Sequence, residues 1–244
     1  MTRRRFFAPP SAFNFNKRVV TLTSDEARHL REVLRLKAGD EVQVFDGAGH
    51  EFRAVVSQAR REFAELEIGD EIESPKPESP LQLTLAVALL KGEKFDLVVQ
   101  KGTELGVNRF IPLVTRYADI RLRDAGDAAK RVTRWQRIAL EAAKQCGRSV
   151  VPEIKTPGSF EVLIREEVGC LMFSEREGQA LNTNLNAQNL TAIVGSEGGW
   201  SDEELDQARA ASVPIVTLGG RVLRAETAAI ATVVLLQHLY GDLK

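Results

Sequence analysis

The chain of 244 residues is 43% hydrophobic and 27% charged, which is enough apolar material for two modest domains with cores of their own. Its 33 lysines and arginines nearly cancel 34 aspartates and glutamates, so net charge alone does not announce a nucleic-acid partner. No apolar run reaches the roughly 18 residues needed to cross a membrane, and the basic start lacks the apolar stretch of a secretory signal. The distribution of charge says more than its sum: residues 1–35 carry eight Arg/Lys against three acids, and residues 116–148 carry nine against four. Two basic segments in an otherwise acidic chain hint at an electrostatic footprint for nucleic acid. Cys146 and Cys170 form neither a disulfide framework nor a metal-ligand cluster, which suits a reducing cytoplasm.

In chain order, Arg3-Arg-Arg-Phe-Phe7 comes first. It sets guanidinium groups beside aromatic rings, a combination that suits phosphates and unpaired bases and equally suits a frayed, solvated terminus. Arg18 to Thr23 reads as a strand. Thr23 and Glu26 have the spacing of a capping box for a helix bearing His29, Arg31 and Arg35, where His29 fits a buried core position as well as a ligand contact. From Glu41 the pattern alternates. Val42 and Val44 face one way, Asp46-Gly-Ala-Gly49 turns the chain, Phe52 to Val56 returns and Phe63 to Ile68 follows, which predicts a small antiparallel barrel. Ser74 to Pro80 is proline-rich and reads as a stiff linker between domains at 1–73 and 81–244.

Beyond the linker, Leu81 to Leu90 is a near-continuous apolar run, the mark of a strand covered on both faces. Lys91-Gly-Glu-Lys-Phe95 opens a helix with Phe95, Val98, Val99 and Leu105 inward, and Arg109 to Val114 is the next strand, so this domain is of the alternating α/β kind. A helix from about Ala128 to Gly147 buries Val132, Trp135, Ile138, Ala139, Ala142 and Cys146. Its other face shows Lys130, Arg134, Arg137 and Lys144, with Arg148 just past its end; such a face is either solvated surface or part of a basic footprint. A helix from about Ser159 to Glu167 and a strand from Cys170 to Phe173 follow, then a polar surface stretch, Ser174 to Gln188.

Two strand-loop-helix units close the chain. Thr191 to Gly195 leads into Ser196-Glu-Gly-Gly199-Trp200 and a helix capped by Ser201 and Glu204; Pro214 to Leu218 leads into Gly219-Gly220-Arg221-Val-Leu-Arg224 and a helix from Ala225 to about Tyr240. Both loops fall at strand C-termini, the edge where open parallel sheets hold ligands. Glu197, Asp202, Glu203 and Glu204 crowd this edge with negative charge, so a triphosphate is disfavoured and a ligand neutral or cationic at its centre is not. The last helix is apolar almost all round, which requires burial on most sides or a subunit interface.

Val194-Gly-Ser-Glu-Gly-Gly199, Leu218-Gly219 and Leu223-Arg-Ala-Glu-Thr-Ala228 together resemble the cofactor-binding core of the SPOUT class of RNA methyltransferases. His29-Leu-Arg-Glu-Val-Leu-Arg35, Phe45-Asp-Gly47, Gln100-Lys-Gly-Thr-Glu-Leu-Gly106, Trp135 and Gln145-Cys-Gly-Arg148 extend the likeness nearly end to end, to the family that methylates uridine N3 of bacterial 16S ribosomal RNA. Ser196 departs from it, standing where that family more often has proline, a change expected to loosen the loop. The resemblance implies a PUA-like RNA-binding barrel followed by a SPOUT α/β domain with a trefoil knot. It also implies S-adenosyl-L-methionine as cofactor, no metal, a cytoplasmic homodimer, and 16S rRNA within the assembled small ribosomal subunit as partner. Its site residues would be Phe173, Gly195, Glu197, Gly198, Gly199, Leu218, Gly219, Leu223, Arg224, Ala225, Thr227 and Ala228 for the cofactor, and Arg5, His29, Arg31, Arg35, Lys91, Lys101 and Arg148 for RNA. Arg224 and Glu226 would be catalytic, unless Glu226 merely caps its helix and Arg224 pairs with it. Methylation of another RNA position, such as a ribose 2′-hydroxyl, and a non-catalytic RNA-binding adaptor are the alternatives.

Overall fold

The computed structural model describes residues 4–73, 77–118, 120–181 and 188–244. Residues of the expected linker (74–76), of the polar stretch (182–187) and Arg3 lie outside the described part. The chain divides into two compact units, the first made of Met1–Glu78 and Ala143–Val151, the second of Ser79–Ala142 and Pro152–Lys244. The first boundary falls inside the proline-rich segment, but residues 143–151 belong with the first unit, so the division is not the contiguous one expected at 81.

The first unit is a six-stranded sheet in the order β1-β4-β5-β6-β3-β2, formed by β1 (Arg5–Phe7), β2 (Phe13–Asn14), β3 (Val19–Thr23), β4 (Glu41–Phe45), β5 (Glu51–Ala59) and β6 (Phe63–Ile72). Alternation places Val20, Leu22, Val42, Val44, Ala54, Val56, Ala64 and Leu66 in one core with Phe6 and Leu30. The sheet is mixed rather than purely antiparallel, because β1 pairs with β4 in parallel. Arg5 is the reason this terminus is a strand. It is buried, its Nε and Nη2 donate to the two carboxylate oxygens of Glu51 at 2.8 and 2.9 Å, and its guanidinium lies 3.9 Å from the centre of the Phe45 ring.

The expected capping box at Thr23 does not form. The Thr23 side chain makes no capping bond to α1 (Ser24–Arg28), because Glu26 is drawn elsewhere: its carboxylate accepts from Lys144 Nζ at 2.6 Å and from the Phe7 N–H at 3.4 Å. After one short turn the helix continues as a wider five-residue turn through His29–Val33.

The second unit is a parallel sheet in the order β10-β8-β7-β12-β11-β13, with β9 also paired to β8. Its strands are β7 (Gln82–Ala88), β8 (Arg109–Val114), β9 (Glu153–Ile154), β10 (Gly158–Ser159), β11 (Cys170–Phe173), β12 (Asn189–Val194) and β13 (Ile215–Val216). The helices are α2 (Lys94–Glu104), α3 (Ala125–Cys146), whose last turn belongs to the first unit, α4 (Phe160–Glu166), α5 (Asp202–Ala210) and α6 (Ala225–Tyr240). The central strands β7, β12 and β11 are buried over nearly their whole length, as a sheet covered on both faces requires. In α3, Trp135 packs on Phe95 of α2 at 4.2 Å between ring centres and donates its Nε1–H to Asp96 at 3.0 Å. Among the described residues no helix is long and apolar enough to cross a membrane.

Candidate functional site

Parallel strands bring the ends of β11, β12 and β13 to one edge of the sheet, and the loops that leave them enclose a cleft against the start of α6. Of the residues expected at a cofactor site, Phe173, Gly195, Leu218, Gly219, Leu223, Ala225 and Ala228 line this cleft. Val194, Ser196, Thr217, Arg221 and the pair Ser174 and Glu175 line it as well. The last two follow β11 and belong to a third loop, which sequence reasoning assigned to a polar surface stretch; Ser174 is in fact buried and Gln179 bridges to Val216. The signal available was position, since Ser174 follows a buried strand as Gly195 follows another.

The loop after β12 is built by close backbone approach. A side chain at Gly198 would meet Tyr117 at 2.7 Å, and one at Gly195 would meet the Trp200 ring at 3.1 Å. Gly199 has φ +69°, a conformation that favours glycine, and its N–H closes the turn on the Ser196 carbonyl at 3.0 Å. Ser196 tightens the loop instead of loosening it, because its hydroxyl donates to the Tyr117 carbonyl at 3.1 Å. Trp200 is buried and donates Nε1–H to the Phe173 carbonyl at 2.8 Å, which ties the β12 loop to the end of β11. The predicted capping box opens α5: the Ser201 N–H donates to Glu204 Oε2 at 2.9 Å and the Glu204 N–H to Ser201 Oγ at 3.3 Å.

Glu197, Gly198, Gly199 and Arg224 sit in the same loops and Thr227 in the first turn of α6, none of them lining the cleft wall. Arg224 is exposed at the N-cap of α6, where its carbonyl accepts from the Ala228 N–H at 2.8 Å. Glu197 pairs with Lys94, at the start of α2, and Lys94 Nζ also lies 3.6 Å from Glu226 Oε2. The hydrogen bond to Glu197 raises the Lys94 pKa above the ordinary lysine value, so this side chain is a fixed cation at neutral pH. Glu226 Oε2 is buried and, beyond this ion pair with Lys94, meets no hydrogen-bond donor among the described residues. Lys94 is thus a site residue that the sequence reading missed, although it stood in the quoted Lys-Gly-Glu-Lys run.

The donor set fits a cationic nucleoside better than a polyphosphate. Glu175 lines the cleft and Glu197 and Glu226 stand nearby, while Phe173, Val194, Leu218, Leu223, Ala225 and Ala228 give an apolar wall for an aromatic base. The backbone at Gly219, with φ +88°, and at Gly220 has nothing within 4 Å where a side chain would project, so a ligand can approach it closely. Among the described residues no group of three His, Cys, Asp or Glu side chains is placed to hold a metal.

The residues expected to contact RNA separate into two sets. Arg5 and Arg148 are buried inside the first unit, Arg148 paired with Glu78 at 2.5 Å, so their charges are spent on the fold. Lys144 is likewise engaged by Glu26. His29 is half-buried, edge-on to Phe6 with ring centres 6.1 Å apart, the core reading of that residue. Arg31 and Arg35 line a concavity of about 690 Å³ together with Lys37 and Arg60, where Arg31 pairs with Glu32 at 2.5 Å and donates to the Arg60 carbonyl at 2.8 Å while its side chain stays part-exposed. In the second unit Lys91 is exposed ahead of α2, and Lys101 pairs with Glu104 at 2.9 Å.

Residues 77–237 match the model of an RNA methyltransferase domain, and residues 22–69 match that of an RNA methyltransferase PUA domain. The chain is 36% identical to a ribosomal RNA small subunit methyltransferase E of Synechocystis, over 86% of this chain and 69% of that one. It is 32% identical to the protein of the same name in Mesomycoplasma hyopneumoniae, over 93% and 95% of the two chains. In structure it is similar to a Legionella pneumophila methyltransferase in complex with bound S-adenosylmethionine (TM-score 0.89, 31% identity, 100% of both chains). It is also similar to the Neisseria gonorrhoeae ribosomal RNA small subunit methyltransferase E bound to S-adenosylmethionine (TM-score 0.87, 32% identity, 99% of this chain and 100% of that one).

Proposed function

The chain belongs to the ribosomal RNA small subunit methyltransferase E family, and on that premise we propose that it transfers a methyl group from S-adenosylmethionine to N3 of a uridine in 16S rRNA. The observation that carries the reading is the cleft at the ends of β11, β12 and β13, apolar along its wall and with the Glu175 carboxylate and the Arg221 guanidinium in its lining. S-adenosylmethionine supplies an electrophilic methyl group on a sulfonium centre. Phe173, Leu218, Leu223 and Ala228 give its nucleoside an apolar seat, the open backbone of Gly219 and Gly220 allows close approach, and the carboxylates favour its positive charge. A cleft of this composition would be poorly spent in a silent adaptor.

Uridine N3 carries a proton at neutral pH, so the nitrogen must release it before or during attack. We assign its acceptance to Glu226 in the first turn of α6, whose buried Oε2 is ion-paired with Lys94 at 3.6 Å. The Arg224 guanidinium, next in sequence to α6, supplies fixed positive charge for the uracil carbonyl oxygens as negative charge develops there. RNA is held by Arg31, Arg35, Lys37 and Arg60 on the first unit and by Lys91 near the start of α2. The enzyme acts in the cytoplasm on the assembled small subunit and as a homodimer, with α6, where Val234 is exposed and Ile230, Ala231 and Leu235 are half-buried, at the interface, and with the family's knotted threading.

The test is methyl transfer from labelled S-adenosylmethionine to small subunits from a strain lacking this gene, followed by reverse transcription. An N3-methyl group blocks base pairing and stops the transcript at one uridine. Transfer without a stop would point to the ribose hydroxyl, and no transfer would leave an RNA-binding adaptor. Light scattering on the active enzyme tests the dimer, which a fully active monomer would exclude.

A further inference from the structure

Three phenylalanines of the first unit form a ring cluster that takes no part in the cleft or in the arginine concavity. Phe13 and Phe15 stack with ring centres 5.7 Å apart and planes 20° from parallel, and Phe52 of β5 closes on each of them at 5.6 Å. Phe13 packs against the core and Phe52 is buried within it, so the stack is anchored from below. Phe15, in contrast, is 61% exposed. It sits in the turn between β2 and β3, which is fixed by hydrogen bonds from the Lys17 N–H to Asn14 Oδ1 at 3.1 Å and from the Arg18 N–H to the Phe15 carbonyl at 3.2 Å. Arg18 adopts φ +52°, and its Nε donates to the Ile68 carbonyl at 3.1 Å.

What sets Phe15 apart from the chain's other exposed apolar side chains is that its ring is held by stacking on Phe13 and by Phe52, so its position is fixed. The surroundings say what such a ring meets. Lys17 and Arg18 are both exposed in the same turn, and Asn14 and Asn16 flank the ring in sequence. In the strand register Glu71 stands opposite Phe52 with its carboxylate engaged by His50 at 2.8 Å, while Glu67, opposite Val19, lines with Arg18 a concavity on the outer face of the sheet. Two cations two and three residues along the same turn from an exposed π-face favour a planar group carried on a polyanion over an apolar protein segment.

We propose that the Phe13–Phe15 stack is a platform for one unpaired nucleobase of an RNA strand, with Lys17 and Arg18 at the adjoining phosphates. This rests on the rRNA reading for the identity of the strand, but not on the cleft or its chemistry. A base added to Phe15 extends an existing stack, and since every base has a π-face the platform contributes affinity without selecting sequence.

The test is equilibrium binding of an unstructured ten-nucleotide RNA to wild type, Phe15→Ala, Phe15→Leu and Phe15→Trp, each checked for an unchanged melting temperature. Phe15→Ala and Phe15→Leu should each weaken binding about tenfold, corresponding to about 1.4 kcal/mol, with an unchanged salt slope. Phe15→Trp should bind at least as well as wild type, with quenching of an exposed-tryptophan emission that the buried Trp135 and Trp200 do not supply. Lys17→Ala with Arg18→Ala should instead reduce the salt slope. Wild-type affinity in Phe15→Leu, or an unquenched Phe15→Trp, overturns the platform. So does a change in oligomeric state in Phe15→Ala without loss of RNA affinity, since the ring would then meet a second copy. A wild type that binds RNA through Phe15 yet methylates nothing would sink the methyltransferase reading and leave the platform standing.

Discussion

Lys94 Nζ lies 3.6 Å from Glu226 Oε2 and also pairs with Glu197, so one cation from α2 joins the loop after β12 to the first turn of α6. One carboxylate belongs to the loop after β12 and the other to the helix that follows the loop after β13. Without the cation they would repel each other, and Glu226 would lose the ion pair that holds its carboxylate in place.

Lys94→Met should therefore lower the single-turnover methyl-transfer rate by about 100-fold, the scale of a lost proton acceptor. Cofactor affinity measured by calorimetry should change much less, because Lys94 is not among the residues lining the cleft. Lys94→Arg, which keeps the charge, should recover most of the rate. Equal losses in rate and cofactor affinity would make Lys94 part of the cofactor seat instead.

Arg5 and Glu51 give a stability prediction free of function. Both side chains are almost fully buried, at 3% and 0% exposure, and Ser149 Oγ donates to the same carboxylate at 2.8 Å. Glu51→Gln should destabilise the protein by about 3–5 kcal/mol, since it leaves a buried guanidinium uncompensated. Arg5→Met combined with Glu51→Met should cost clearly less than the sum of the single changes. Urea denaturation of the four proteins checks this, and additive losses would mean that the pair does not act as a unit.

These two pairs also show what the sequence could and could not disclose. The bounds of α6, β8 and β11 and the Ser201–Glu204 capping box were readable, because helix period, strand length and capping are local and follow from neighbouring residues. The sheet edge that carries the cleft was readable for a similar reason, because Gly195 and Gly219 directly follow short apolar strand runs. What escaped depends on partners distant in sequence. Arg5 looks like an RNA contact until Glu51 is beside it, Glu26 looks like a capping residue until Lys144 reaches it, and Arg148 looks like surface until Glu78 pairs with it. A charged side chain carries no local mark of whether its counter-ion is a phosphate or a carboxylate across the fold.

The glycines of the two loops should respond differently to substitution. Gly219 has positive φ but open space around it, so Gly219→Val should fold with a modest strain penalty of about 1–2 kcal/mol and lose cofactor binding by filling the approach to the backbone. A side chain at Gly199 would strike the Glu175 carboxylate and also sit at positive φ, so Gly199→Val should lose both melting temperature and cofactor affinity. Unchanged cofactor affinity in a well-folded Gly219→Val protein would remove this loop from the site.

For RNA, the concavity on the first unit predicts which arginines matter. Arg31→Ala with Arg35→Ala should weaken binding to small-subunit RNA and flatten its dependence on salt by roughly one unit for each phosphate no longer neutralised. Arg148→Ala should instead act on stability, because that guanidinium is buried against Glu78. A salt slope equal to wild type in the double variant would return Arg31 and Arg35 to ordinary surface.

The chemistry itself turns on Arg224. A guanidinium keeps its proton at any pH a folded protein meets, so Arg224 cannot take the N3 proton and can only stabilise the charge left behind. Its place argues for that role: it is exposed at the N-cap of α6, one residue from the cleft-lining Leu223 and Ala225, and adjacent in the chain to the turn that carries Glu226. Arg224→Ala should lose turnover by about 100-fold or more, on the scale of a removed oxyanion donor, while binding of S-adenosylmethionine changes little. Raising the pH should then recover part of the loss, because a uridine ionised by solvent no longer needs its proton removed within the site. Glu226→Gln keeps a hydrogen-bond acceptor but cannot take the proton, so it should lower the rate by about 100-fold, the scale of a lost proton acceptor. The measurement is the single-turnover rate against pH, with chemistry shown to be limiting by its insensitivity to viscosity. A profile for Arg224→Ala that stays flat with rising pH would mean that the guanidinium positions RNA or cofactor and does not stabilise the uracil anion.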